Sequence, residues 1–509
     1  MVLLMKLRTV FGWMGFALIF ILQSIAAERI NQEGRILGPQ LQVAEPTLFN
    51  TPAADAVVSS MQILPVTSAW NEDISKRPLL PNSDAMIGQI ISDLATNRRT
   101  LHVFFEMNFV LVPDNQPLVP IDFFNYPDES DPSPYPISTN MPVETWPRET
   151  GTQTLQDWQM DANGVGGDRH SIIVEPGAGF TWETWLTQLT SPGGWTASNG
   201  AKFDLKSNAL RPSGWTSGDA AGLSMFPALV RFDECERGMV EHAMRIVVKR
   251  SRKQFIYPAT HYASTTAASQ TNVPAMGQRV RLKQSFVIPD AWTLHEKAVL
   301  KGLKKYGALV ADNGNFFSVS ATPDDRWPAN EFNHLSSISI TNFEVVQSTG
   351  PNEGPRSPGA PVVNGGGDKT ATLSAPLQLN GSATYSTPIA IQWKKYSGPG
   401  SVYFDNAAKT NAFATFGAAG DYILMLSADD GIHAVVYDAI HVTVADGIVA
   451  QIAEGGSGAN LSWTGSSTAF VIEQTTNLVP PQWTPVLTTS VPNLSIPCTN
   501  RTSFFRIRN

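Results

Sequence analysis

Ala419-Gly420-Asp421-Tyr422-Ile423-Leu424-Met425-Leu426-Ser427-Ala428-Asp429-Asp430-Gly431 decides the fold class. Tyr422, Leu424, Leu426 and Ala428 recur every second residue, so an extended chain places them on one face. Asp430-Gly431 then supplies a hairpin turn. The composition extends this reading to the whole chain. Its 509 residues include 39 Gly, 36 Pro and 13 Trp, and 42% are hydrophobic. Such a chain can build real cores, with turns and strands rather than helical bundles.

Outward from that strand, the same small segment carries Trp393, Ser397-Gly398-Pro399-Gly400-Ser401-Val402-Tyr403-Phe404 and Ala414-Thr415-Phe416. On these residues 361–446 resembles a PKD-like module of immunoglobulin type. The resemblance implies a two-sheet sandwich with Trp393 as its core aromatic. It implies a spacer or adhesion role rather than a reaction. Upstream, Gly350-Pro351-Asn352-Glu353-Gly354-Pro355-Arg356-Ser357-Pro358-Gly359 is too rich in breakers for a helix or central strand, so 348–360 is expected to be a linker. Downstream, 447–509 is expected to be a small β module built on Phe470-Val471-Ile472-Glu473, Trp483-Thr484-Pro485-Val486 and Phe504-Phe505-Arg506-Ile507-Arg508.

The body, 28–347, is expected to be a large β-sandwich or jelly-roll-like unit with a few helices. Ser83–Leu94 and Trp292–Tyr306 have helical spacing. Ser83 is the expected cap of the first, and Gly307 the expected C′ residue of the second. His242–Val248, Arg279–Lys283 and Ser337–Ile340 alternate like strands, and Asp312-Asn313-Gly314-Asn315 reads as a tight turn. Prolines exclude helix and central strand from Pro113 to Pro147, a segment expected to be pinned by Phe123, Phe124, Tyr126, Tyr135 and Trp146. Several body segments, including Gly167-Asp168-Arg169-His170, Gly214-Trp215-Thr216-Ser217 and His261-Tyr262-Ala263-Ser264, resemble a group of uncharacterised secreted proteins from environmental bacteria. That resemblance implies no particular activity.

At the N-terminus, Lys6 and Arg8 precede an apolar run from Val10 to Leu22 and the small residues Ser24-Ile25-Ala26-Ala27. This is the pattern of a cleaved secretory signal over 1–27, and the run is short for a span of roughly 20 residues. A secreted or outer-surface location follows as the expectation. Only Cys235 and Cys498 are present, in different expected units, so disulfides do not staple the fold. The net charge of −8 argues against a general nucleic-acid binder.

The chain lacks a Gly-x-Ser-x-Gly elbow, a His-Glu-x-x-His helix, a phosphate loop and a dinucleotide fingerprint. The expected partner is instead a polysaccharide or other glycan. His170, His242 and His261 could supply acid–base groups or, together, bind a divalent metal ion. A lyase would use His261 or His242 with Tyr262 as base and acid, and Arg169, Arg245, Arg279 or Arg281 to hold a uronate carboxylate. A glycoside hydrolase would need two carboxyl groups, for which Asp168, Asp219 and Asp233 with its neighbours Glu234 and Glu236 are candidates. Asp128, Glu129 and Asp131 are further candidates. Trp182, Trp185, Trp195 and Trp215 could stack on sugar rings. The alternative to both enzymes is a non-catalytic surface protein for glycan binding or adhesion.

Overall fold

The computed structural model describes residues 28–509 except 149, 162–166, 191–193, 387, 448, 456–457, 465–468, 478–479, 498–503 and 509. The signal-like segment 1–27 and Cys498 therefore lie outside the described residues. The chain is mainly β.

The deciding stretch forms strand Gly420–Asp429, with Tyr422, Leu424, Leu426 and Ala428 all fully buried. Its sheet runs in the order Lys369–Thr372, Val436–Ala445, Gly420–Asp429, Ala390–Ser397. A second sheet, Leu377–Gln378, Phe413–Phe416, Val402–Phe404, closes the sandwich. Trp393, Phe416 and Tyr422 share its core. The Tyr422 hydroxyl donates to the Ala418 carbonyl at 2.7 Å and accepts from the Gly400 amide at 3.0 Å. Gly398 is required there: its φ is +138°, and a Cβ would lie 2.2 Å from the Tyr422 ring. The turn is longer than the two residues read from the sequence. Asp430 caps it by accepting from the amides of Ile432 and His433.

At the C-terminus two three-stranded sheets enclose Leu461, Trp463, Phe470, Ile472 and Ile496. The segment Gly350–Gly359 lies against the body rather than swinging free. Pro355 is buried, and Arg356 stacks 4.9 Å from the Tyr257 ring while donating to Gly350.

The body is organised by a six-stranded mixed sheet in the order Phe343–Val345, Arg279–Leu282, Ala308–Asn313, Met244–Val248, Phe317–Ala321, Leu101–Phe105. Met244–Val248 runs parallel to Ala308–Asn313, and Phe317–Ala321 parallel to Leu101–Phe105. Leu101, Met244, Ile246, Val248, Phe317 and Val319 all belong to the main apolar core. The alternate residues, His102, Phe104, Arg245, Val247, Ser318 and Ser320, must therefore face the other way. A five-stranded sheet, Thr47–Leu48, Val110–Leu111, Ser171–Glu175, Phe180–Trp185, Asn199–Asp204, shares part of that core.

Helices pack on the core, among them the two read from the sequence. Ser83–Asp93 buries Met86, Ile87 and Ile90. Ser83 is not its cap: it is buried, and its hydroxyl accepts from the Val345 amide at 2.8 Å, tying the helix to the sheet edge. Leu294–Lys305 starts with a capping box between Thr293 and Glu296, and Gly307 follows it at φ +65°. Ser337–Ile340 is a correction. Single 3₁₀ turns, Asn333–Ser337 and Ile340–Asn342, replace the expected strand, because Ser337 and Ser339 bond locally to His334 and Thr341. In the proline-rich segment Tyr135 is fully buried and anchors the cover, whereas Phe124 and Tyr126 stay exposed.

Candidate functional site

Strand Met244–Val248 points Arg245 away from the core, and Arg245 is the centre of a polar cluster. Its side chain is 2% exposed. Asp219 grips it with two contacts, Nε–Oδ2 at 3.0 Å and Nη2–Oδ1 at 3.1 Å. Ser320 Oγ accepts from Nη1 at 2.6 Å. Two more carboxyl groups reach the same guanidinium: Glu106 Oε1 at 3.4 Å from Nη1 and Asp312 Oδ2 at 3.5 Å from Nη2. These two are the outer members, each with 23% side-chain exposure. A buried charge needs such pairing, and Arg245 is held even more firmly protonated than usual.

Burial pushes the Glu106 carboxyl up, the neighbouring charge of Glu144 adds to this, and Arg245 only partly opposes them, so it titrates near about 7. Burial and then Asp219 raise Asp312 to about 6. The two carboxyl groups share one guanidinium, so their contacting oxygens are no more than roughly 9 Å apart, a ceiling compatible with the spacing of paired glycosidase carboxylates.

His170 stands behind this pair. Its Nδ1 lies 2.9 Å from Glu144 and its Nε2 2.8 Å from the Gly218 carbonyl. Burial alone would lower its pKa, but the Glu144 carboxylate raises it to about 9. With both nitrogens occupied, His170 is a positioning group. Gly167 allows this approach, since a Cβ there would meet Glu144 Oε1 at 2.4 Å. The next residue, Thr145, sits at φ +69° and its amide holds the Glu106 carbonyl. A β-branched residue in that region costs about 1–3 kcal/mol, a strain that gathers at functional sites.

The loop Gly218-Asp219-Ala220 joins the parts. Gly218 holds His170, Asp219 holds Arg245, and the Ala220 carbonyl accepts from His261 Nδ1 at 2.7 Å. A carbonyl only accepts, so Nδ1 carries the proton and neutral His261 keeps an unprotonated Nε2. Among the described residues that nitrogen has no hydrogen-bond partner. His261 is half-buried and stacks parallel on Tyr262, ring centroids 5.8 Å apart. Asn313, beside Asp312, donates to the Ala263 carbonyl at 2.7 Å and ties this segment to the carboxyl pair.

The remaining sequence candidates lie elsewhere. His242 donates to the Ala243 carbonyl and bonds Glu234 at 3.1 Å, so it does not join His170 and His261 as a metal ligand. Glu234 would be raised by burial, but Arg231 and His242 hold it down at about 2. No group of three or more His, Cys, Asp or Glu among the described residues has the geometry of a metal site. Asp233 is buried against Arg237 at 2.7 Å, and Asp168 is exposed. Cys235 is a buried free thiol.

The arginine stripe is a correction. Arg279 and Arg281 are 4% and 7% exposed and present no open cationic face. Arg279 donates to the carbonyls of Tyr306 and Ala69; Arg281 pairs with Glu344 and donates to Ser75. Their strand lies inside the sheet, where both faces are covered and alternation no longer marks a wet side. Arg169, at φ +53°, is likewise spent on the carbonyls of Thr187, Trp158 and Gln159. Trp195 is a core residue. Trp182 packs on Tyr135 at 4.6 Å, and Trp215 is half-buried with Arg211 5.5 Å away. Asp131 and Glu129 fasten the proline-rich cover, through Arg211 and the Thr216 amide.

Glu106, Glu144 and Asp312 were not among the sequence candidates. The signal for Glu106 is its place in His102-Val103-Phe104-Phe105-Glu106, where it continues the outward alternation of His102 and Phe104.

No protein-family model matches this chain, and no curated protein sequence matches it. Among solved structures it is similar to the PKD domain from KIAA 1837 protein, at 28% identity over 16% of this chain and 85% of that one, with a TM-score of 0.15. It is also similar to a nucleoside hydrolase-related hypothetical protein from Saccharophagus degradans that is associated with carbohydrate metabolism, at 20% identity, 18% of this chain, 25% of that one and a TM-score of 0.15. The CD2-binding domain of CD58 aligns at 9% identity over 28% of this chain and 91% of that one, with a TM-score of 0.16.

Proposed function

We propose that this is an exported carbohydrate-active enzyme whose body hydrolyses an extracellular polysaccharide, with 361–446 and 447–509 as accessory β modules. The observation that carries the reading is the carboxyl pair held across Arg245, with both members protonated at higher pH than usual. Glu106, the weaker acid, would donate its proton to the glycosidic oxygen as the bond from the anomeric carbon to that oxygen breaks. Asp312, the stronger acid, would take a proton from the water that attacks the same carbon. Buried raised carboxyls are the ordinary source of a general acid near neutral pH.

A lyase is the second reading, favoured by the open Nε2 of His261 beside Tyr262. It is weakened by the engagement of Arg169, Arg245, Arg279 and Arg281 in buried contacts, which leaves none of them to neutralise a uronate at the reacting carbon. No described helix is long and apolar enough to cross a membrane.

The test is to incubate the full chain with neutral and anionic polysaccharides. New reducing ends without new ultraviolet absorbance support hydrolysis, and Glu106→Gln should lower the rate by about 100-fold or more. New absorbance, abolished by His261→Ala, would replace this reading with the lyase. Retention without products would replace it with a glycan-binding or adhesion protein.

A further inference from the structure

We infer that the sheet face beside Glu106 is a subsite for an anionic polysaccharide, with Phe104 and Phe316 as its stacking platform and Arg98 and Lys249 as the groups that meet the acidic substituents. The inference rests on the reading of Glu106 and Asp312 as the cleaving pair and adds the substrate class.

The face is the one turned away from the apolar core. His102, Phe104 and Glu106 leave one strand on the same side, so successive members are roughly 6.6 Å apart. The Phe104 and Phe316 rings meet edge to face at 5.0 Å, and His102 packs on Phe316 at 4.9 Å. These three rings are only partly buried, and so is Val247, the neighbour on the central strand. An aromatic surface left partly wet on a sheet face suits the apolar face of a sugar ring.

The charges narrow the class. The Arg98 guanidinium lies 4.3 Å from the Phe316 ring centroid and reaches the Asn315 carbonyl at 3.4 Å. The Lys249 ammonium donates to the Asn315 side chain, and Lys249 is exposed. Neither cation has a carboxylate partner within salt-bridge distance among the described residues. In a chain of net charge −8, two unneutralised cations at one turn beside the platform are a local reversal of sign. They complement a carboxylated or sulfated sugar at the far end of the paired strands from Glu106, two or more side-chain repeats (roughly 13 Å or more) away, and the Glu106 carboxyl is itself neutral below about pH 7.

The test is affinity electrophoresis of the full chain through gels containing polygalacturonate, alginate or carrageenan, with xylan and laminarin as neutral polymers. At least one anionic polymer should retard the protein more than either neutral one. Phe316→Leu, which keeps the apolar volume but removes the flat ring, should weaken that retention about 3- to 10-fold. Arg98→Ala with Lys249→Ala should weaken it roughly 10-fold at low salt and flatten its salt dependence. Preference for the neutral polymers, or unchanged retention in both variants, overturns the inference. Glu106→Gln separates the two readings. Retention kept with cleavage lost supports both. Retention kept with cleavage also kept supports the subsite and removes Glu106 from the reaction.

Discussion

Arg245 shows why a buried ion can be structural and still matter to chemistry. Asp219 neutralises it through Nε and Nη2, so its burial is tolerated, while Nη1 reaches Glu106 and Nη2 is shared with Asp312. Removing it would leave Asp219 buried without a partner, so Arg245→Ala should cost about 3–5 kcal/mol of stability, read from denaturant midpoints. The two central histidines should separate in the same assay. His170→Ala removes the partner of buried Glu144 and should destabilise by about 2–4 kcal/mol. His261→Ala removes a half-buried ring with one bond and should cost less than about 1 kcal/mol. Equal losses of stability would show that His261 is held as firmly as His170. Glu183 offers a further titration, because its carboxyl makes no contact with Arg245. Burial raises it to about 7, although Phe226 and Met225 amides and the Ser224 hydroxyl oppose the shift. A raised carboxyl makes the folded state bind more protons than the unfolded one between roughly pH 4.5 and 7. Its stabilising share is complete below about pH 4.5 and disappears as pH rises through 7. Glu183→Gln should therefore reduce the fall in unfolding free energy between pH 5 and 8 by an amount on the order of 2–3 kcal/mol. Parallel pH profiles for the two proteins would refute this assignment.

Elements with one covered face were legible, and elements with two were not. The helix Leu294–Lys305 has a polar side, so Val299, Leu303 and Tyr306 announced its period, and its capping pair is local in sequence. Thr293→Ala breaks that capping box and should lower stability by about 1 kcal/mol without moving the candidate site, which thermal denaturation would detect. Strand Gly420–Asp429 was legible for the same reason, since its alternate residues Asp421, Ile423 and Ser427 are wetter than Tyr422 and Leu424, although Met425 is buried. Arg279–Leu282 has the same alternation but lies between neighbours in the six-stranded sheet. Its arginines face inward to otherwise unpaired carbonyls, a pairing set by chain segments some two hundred residues away. The candidate site failed to show for a related reason. Asp219 and Arg245 were visible as single residues, His170 and His261 were suspected, and Asp312 was read only as part of a turn. What joins them is the loop Gly218–Ala220, which has no pattern of its own, and the parallel pairing of Met244–Val248 with Ala308–Asn313, which no local spacing encodes.

At the scale of the whole molecule, the polar arm after residue 28 works as a strap between the body and the sandwich. Toward the body, Arg35 forks onto Glu241 at 2.9–3.1 Å, and Glu33 receives Lys305 at 2.7 Å. Toward the sandwich, the Ile36 amide donates to the Tyr396 hydroxyl at 3.1 Å, and Glu28 meets His441 at 3.1 Å. Gly34 lies between these two sets of contacts at φ +71°, where a Cβ would come within 2.9 Å of the Tyr437 ring. Polar contacts of this kind are individually weak, so the relative position of the two parts depends on their acting together. Gly34→Val opposes them at one point, through both the left-handed backbone and the collision with Tyr437. Because Tyr437 lies outside the apolar cluster around Trp393, the sandwich itself should keep its melting temperature. The substitution should instead raise the radius of gyration measured by small-angle X-ray scattering, as the sandwich moves off the body. An unchanged scattering curve would mean that the docked segment Gly350–Gly359, with Arg356 against Tyr257, is sufficient to hold the two together.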